Sequence, residues 1–298
     1  MKYLLLNFLF IYLSLTATVG QDVDYTFNVL AHQGEVFYRA DSESTWIPIE
    51  IGVELRENHL IKIEKGAYLG LVHQSGKTIP YRKVGTYEVS RLHKQIKSSP
   101  SEVSRKYANA YVESIVNPGN SAKETTRSVE NRKLKMYLPN SVDVYSPEVV
   151  LRWKDQETLT DDYEVVFKNM FDEVLMVKDA TDTKLWLDFE QEPIASERLL
   201  IVSVQKKLHK EVQSSSYGIK HMTSDESAQI EQELKELKLV FSGEESALDK
   251  LILASFYEQN NLLADALTSY EYAITLSPDI EAFHDAYDQF VFRNGLGL

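Results

Sequence analysis

Seven histidines, at positions 32, 59, 73, 93, 209, 221 and 284, are the first residues to weigh for chemistry. None stands at a spacing that would hold zinc, and no His-Glu-x-x-His occurs. The Gly-x-Ser-x-Gly of a serine hydrolase and the dinucleotide fingerprint are also absent. There is no cysteine. That excludes a thiol nucleophile, thiolate-bound zinc, iron–sulfur clusters, disulfides and a cysteine-linked lipid anchor. Gly70-Leu-Val-His-Gln-Ser-Gly76-Lys77-Thr78 looks like a phosphate loop, but five residues separate the glycines where the motif needs four. It also reads as a hairpin, so no helix N-terminus would face a phosphate. Asp161-Asp162 and Asp179-Ala-Thr-Asp182 lack the regular Asp-x-Asp ladder of a calcium loop and read as solvated loops. Glu190 and Glu192 pair two carboxylates, but a glycosidase needs two placed across a cleft. The sequence therefore points away from an enzyme and implies neither a cofactor nor a metal.

The elements that would position any site are more legible. The chain has 298 residues, 43% hydrophobic and 26% charged, which suits two or three folded domains. Its net charge of −13 argues against nucleic acid as a partner. The excess is uneven: residues 225–298 hold 15 acidic and 4 basic side chains, whereas 21–133 hold 14 and 16. Such asymmetry steers a charged partner, or simply solvates two faces. Met1-Lys2, an apolar run from Tyr3 to Leu15 and the small residues before Gln21 match a secretory signal peptide over 1–20. Thirteen apolar residues make a helix of about 20 Å, short of a ~30 Å hydrocarbon core. No later stretch is long enough, so no membrane span is expected after cleavage.

Between 25 and about 95, short β-rich runs alternate with turn signals at roughly ten-residue spacing, which predicts an all-β sandwich or solenoid-like sheet. Gln74-Ser75-Gly76 predicts a hairpin between Ala67–Val72 and Lys77–Tyr81. Several groups stand in a telling order: Gly34-Glu35-Val36, Trp46-Ile-Pro-Ile49, Gly52-Val-Glu-Leu55, Leu60-Ile-Lys-Ile63, Ala67-Tyr-Leu-Gly-Leu71, Ser75-Gly-Lys-Thr-Ile79 and Gly85-Thr-Tyr87. That order resembles a FecR-like domain. Glu57-Asn58 replaces the family's usual turn, and the family's anti-sigma segment is missing, so only the module carries over. Val103, Tyr107, Tyr111 and Ile115 form one face of a helix ending at Asn117-Pro118, followed by a polar linker over 118–133.

Seven short strand signals follow: 135–138, 142–145, 149–153, 163–168, 173–178, 185–189 and 199–205. With Leu151-Arg-Trp153 and Tyr163–Phe167 they resemble an immunoglobulin-like or fibronectin type III sandwich. Thr223-x-x-Glu226 is a capping box opening a helix that ends at Gly243. Leu253, Ala254, Tyr257, Ala266, Tyr270, Ala273 and Pro278 fall at positions 7, 8, 11, 20, 24, 27 and 32 of a 34-residue unit starting at Ala247. That unit resembles a tetratricopeptide repeat, with Lys250 where an aromatic is usual. Ser277-Pro278 is expected to cap and open the next helix, giving four helices in two hairpins.

The expected fold class is thus multidomain: a signal peptide over 1–20, a FecR-like all-β module over 21–97 and a helix and linker over 98–133. An immunoglobulin-like β-sandwich follows over 134–222, then tetratricopeptide-like α-helical hairpins over 223–298. By resemblance, Leu248, Leu251, Ser255 and Glu258 would line a concave partner-binding face; the helices would otherwise be purely structural. The modules imply a non-catalytic interaction or scaffold protein, secreted or periplasmic, in a Gram-negative envelope, with an envelope protein or peptide as partner. The alternative is a glycan or peptidoglycan binder that stacks sugars on Trp46, Tyr68, Tyr81 and Tyr87, residues that core packing also explains.

Overall fold

The computed structural model describes residues 25–40, 45–97, 99–118, 134–156, 162–241 and 246–297. The expected signal peptide, Asp161, Gly243 and all of the linker but Pro118 lie outside them. Eight strands open the chain: β1 (Phe27–Gln33), β2 (Val36–Arg39), β3 (Ile47–Pro48), β4 (Glu54–Leu55), β5 (Leu60–Ile63), β6 (Tyr68–His73), β7 (Thr78–Tyr81) and β8 (Gly85–Glu88). They form two antiparallel four-stranded sheets, ordered β4-β1-β6-β7 and β3-β2-β5-β8. A short helix α1 (Val89–Lys94) closes the unit. Period-two alternation sorts the side chains. Phe27, Val29, Leu69 and Leu71 meet Val36, Ile61 and Ile63 in a core between the sheets. Leu30, Tyr68 and Val72 point the other way, into a second core. The first sheet is therefore covered on both faces, and every residue of β6 is buried. The expected hairpin joins β6 to β7, with Gly76 at φ +89°.

The next eight strands are β9 (Leu134–Met136), β10 (Ser141–Val144), β11 (Glu148–Asp155), β12 (Tyr163–Lys168), β13 (Val174–Ala180), β14 (Lys184–Asp188), β15 (Leu199–Lys206) and β16 (Tyr217–His221). They make a five-stranded sheet, β10-β16-β15-β12-β13, and a three-stranded sheet, β14-β11-β9. The pairing is antiparallel except between β10 and β16. Two such sheets over one core, with β10 joined in parallel to the last strand β16 at one edge, is an immunoglobulin-type sandwich. Trp153 on β11 meets Tyr163 on β12 edge to face, and the Met136 N–H donates to the Tyr217 hydroxyl across the core. Strand β16 was not expected: serines precede it and a glycine interrupts it, which dilutes the β signal.

Helix α2 (Glu102–Val116) carries the expected stripe, with Tyr107 and Tyr111 buried and Ser101 accepting from the Ser104 N–H as N-cap. Helix α3 (Ser224–Lys238) has the Thr223–Glu226 capping box, and α4 (Ala247–Gln259) and α5 (Leu263–Leu276) pair as a hairpin. Ala254, Ala266 and Ala273 are fully buried and let α4 and α5 approach closely. Two expectations need correcting. Helix α6 (Glu281–Arg293) begins at Glu281 with Ile280 as N-cap, so Ser277 ends α5 instead of capping α6. Helix α3 packs chiefly on α2, while α4, α5 and α6 pack consecutively, so the four helices do not divide into two hairpins. Helix α5 lies on β10 and β11, while α2, α4 and α6 cover the outer face of the first sheet. The helices are thus the filling between the two β units, and sandwich, helices and sheet face share one core.

Candidate functional site

The face expected to receive a partner is occupied by the chain itself. Leu248 and Leu251 are fully buried and Ser255 is 3% exposed. Leu248 presses on the first sheet where β6 has Gly70: a Cβ there would lie 2.5 Å from Leu248 Cδ2. Helix α2 covers the rest, with Tyr107 against Phe256 edge to face. Glu258 accepts from Arg293 Nε and Nη2 at 2.7 Å each and from Asn294 Nδ2 at 2.7 Å. None of these four side chains forms an open groove. An isolated repeat would leave the face bare, and nothing local in the sequence says that a helix about 140 residues upstream fills it.

The aromatic residues weighed for sugars are similarly engaged. Tyr68 is buried against Phe283, Arg39 lies 4.5 Å above Trp46, and Tyr81 and Tyr87 contact each other. The Gly70–Thr78 segment is a hairpin whose polar tip serves as a joint. Thr78 Oγ1 donates to Asp249 Oδ1 at 2.5 Å, and Asp249 completes a capping box with Ser246 at the start of α4. Ser104 Oγ donates to the Gly76 carbonyl at 2.8 Å.

Two scattered histidines meet beside this joint. His73 Nε2 lies 2.8 Å from His93 Nδ1, and Glu57 Oε1 lies 3.7 Å from His93 Nε2. The Ser75 N–H donates to His73 Nδ1 at 3.0 Å, which makes that nitrogen an acceptor and leaves Nε2 to donate to His93. Burial, with repulsion from His93, pushes His73 down to about 4. Ser75 reaches His73 Nδ1 at 2.8 Å but is only 3% exposed, so the arrangement is a buried strut and not a nucleophile with access to substrate. Sequence spacing gives no hint of this pair, because β6 and α1 meet only through the fold.

The open site lies where the β unit meets α2 and α6. A cavity of about 270 Å³ is lined by His32, Gln33 and Gly34 from the end of β1, Ile51, Tyr111 and Ile115 from α2, and α6 residues from Glu281 to Gln289. A second, of about 440 Å³, shares Ile51 and runs along α2 past Asn28, Glu54, Asn109 and Glu113. Gln33 builds the mouth: its side chain accepts from the Glu281 N–H at 2.7 Å and donates to the Asp279 carbonyl at 3.0 Å. It thus supplies the cap that Ile280 cannot. The Tyr25 hydroxyl donates to Asn109 Oδ1 at 3.3 Å and ties α2 to the sheet.

Four buried polar atoms around these cavities have no hydrogen-bond partner among the described residues: Asn28 Oδ1, His32 Nδ1, Tyr111 Oη and Gln289 Oε1. Tyr111 is fully buried. Burial raises its hydroxyl well above the usual phenol range, and burial lowers His32 despite the nearby Glu50 carboxylate. Orphaned polar atoms beside a cavity are where a water or ligand belongs. Glu50, Glu54, Glu113, Glu281 and Asp285 surround them and are exposed; among the described residues no lysine or arginine lines either cavity. Among the described residues no group of three or more His, Asp or Glu is placed to hold a metal ion, and no helix is long and apolar enough to cross a membrane.

No family model matches the chain. No curated protein matches it either. Among solved structures, the fibronectin(III)-like modules of Clostridium thermocellum CbhA are similar over 63% of this chain and 77% of that one, at 10% identity and a TM-score of 0.20. A TM-score that low carries no argument about the whole chain; the sandwich is established by its own strand order.

Proposed function

We propose that this is a non-catalytic interaction protein of a Gram-negative envelope, secreted or periplasmic, that binds a partner protein or peptide in the cleft between its β unit and its helices. The leader-like first twenty residues and the FecR-like order of the β strands support the compartment. The tetratricopeptide-like spacing of α4 and α5 supports a protein-binding ancestry, although here that hairpin is turned inward. The observation that carries the reading is the cleft: three segments far apart in sequence converge on buried polar atoms that none of them satisfies. Sites at the junctions of modules are common places for ligands.

The test is site-specific photo-crosslinking in native envelope from Ala282, on the cleft wall, compared with Phe171, an exposed residue on the sandwich. A discrete partner captured from Ala282, and lost when Ala286→Gln narrows the cleft in a chain of unchanged circular dichroism, is the expected result. Enrichment of sacculi or polysaccharide instead of protein would replace the partner class with a glycan. Turnover of an envelope polymer by the purified chain would sink the non-catalytic reading.

A further inference from the structure

We infer that the cleft is built for positively charged side chains: an arginine or lysine of an extended basic peptide in the smaller cavity, and a second basic residue in the larger. The inference rests on the binding role just proposed and names the chemistry of its partner. It follows from what the lining offers. Carboxylates only accept hydrogen bonds, as do the amide oxygens of Asn28 and Gln289; Tyr111 and His32 can each accept one. A donor-rich, cationic group matches such a lining and its carboxylates, whereas an anion would not.

The geometry fits a stem and a charged head. Ile51, Ile115, Ala282 and Ala286 make an apolar passage, and His32, Tyr111 and Gln289 supply the orphaned polar atoms. Arginine and lysine bury their methylenes against such walls while the head makes polar contacts. Asp285 bears electrostatically on Tyr111, and Glu50 on His32, so carboxylates stand close to these buried atoms. The carboxylates are also uncommitted: among the described residues Glu50, Glu54, Glu281 and Asp285 form no ion pair with lysine or arginine. Arg293 also bears on Tyr111, but it is held by Glu258 and Tyr270. A volume of about 270 Å³ is below the ~300–1,000 Å³ usual for whole ligands, which suits one side chain. The adjoining cavity shares Ile51 and carries Glu54 and Glu113, which favours a continuous peptide over a free amine.

The experiment is titration of the mature chain with the peptide acetyl-Ala-Arg-Ala-Arg-Ala-amide, followed by calorimetry at low and moderate salt. Peptides with citrulline at both arginines, free arginine and spermidine are the controls. Binding that weakens with salt, drops at least about tenfold with citrulline and drops similarly in the double variant Glu50→Gln/Asp285→Asn is expected. Gln289→Glu, which adds a charge, should tighten it. Equal binding of the citrulline peptide, or no effect of the double variant, would overturn the cation site. Free arginine or spermidine binding as tightly as the peptide would overturn the peptide. If the double variant still captures the envelope partner, the interaction role stands and the cation inference fails. If the peptide binds as expected but Ala282 captures no protein, the reverse holds.

Discussion

The first sheet meets the helices at two ends, and the two are finished differently. At the hairpin end Thr78, Ser246 and Asp249 satisfy one another, Ser104 reaches Gly76, and His73 is fixed by Ser75 and His93. At the opposite end, where β1 gives way to Gln33 and Gly34, the backbone is tied down, yet His32, Tyr111 and Gln289 keep buried polar atoms without partners. Both ends lie between the same two layers. A polar network that is complete fixes a joint, whereas one left open at matching burial costs stability and is kept for something else. The contrast separates structural from functional polarity within a single interface.

Substitutions at the two ends should therefore behave oppositely. The largest effect is expected from Asp249→Ala, which removes the carboxylate half of the α4 capping box and the buried acceptor of Thr78. A loss of about 3–4 kcal/mol should appear as a lower urea midpoint. Acid comes next. His73 titrates near 4 when folded, below its ordinary value, so the unfolded chain takes up the proton first. Stability should be full above pH ~6.5 and fall by about 3 kcal/mol as pH drops toward 4, and His73→Gln should flatten that slope. Gly76→Ala should cost about 2 kcal/mol, because φ is +89° and the new methyl would meet Ser104 Cβ at 2.5 Å. At the open end Gln289→Leu should leave the unfolding free energy unchanged or raise it by up to about 0.5 kcal/mol, because it deletes an unsatisfied acceptor. A comparable loss there would erase the distinction between the two ends.

Local signals in the sequence held where local physics decides. The spacing of Tyr107 and Tyr111, the capping box at Thr223 and the hairpin at Ser75-Gly76 each describe an element whose hydrogen bonds close within a few residues. Ser246–Asp249 is a second capping box of the same kind, equally local in its hydrogen bonds. The candidate site was not legible. Leu248, Leu251, Ser255 and Glu258 form a face whose fate depends on α2, and no periodicity within the hairpin encodes that. The cleft joins Asn28, Tyr111 and Gln289, which share no motif and become neighbours only after the helices dock. One clue was present: residues 225–298 carry most of the negative charge, and Glu281 and Asp285 at the cleft mouth are part of it.

The bond between Gln33 and the Glu281 amide spans 248 positions. Ribosomes add roughly 5–20 residues per second, so β1 exists for about 12 to 50 seconds before α6 is made. Throughout that interval Leu30, Tyr68 and Val72 on the outer face of the sheet have no cover from the last helix. The β unit can close its private core early and take α2 onto its outer face, but that face is complete only when α4 and α6 have been made. The architecture thus makes the completion of this face a late event, set by chain order and not by the strength of any one contact.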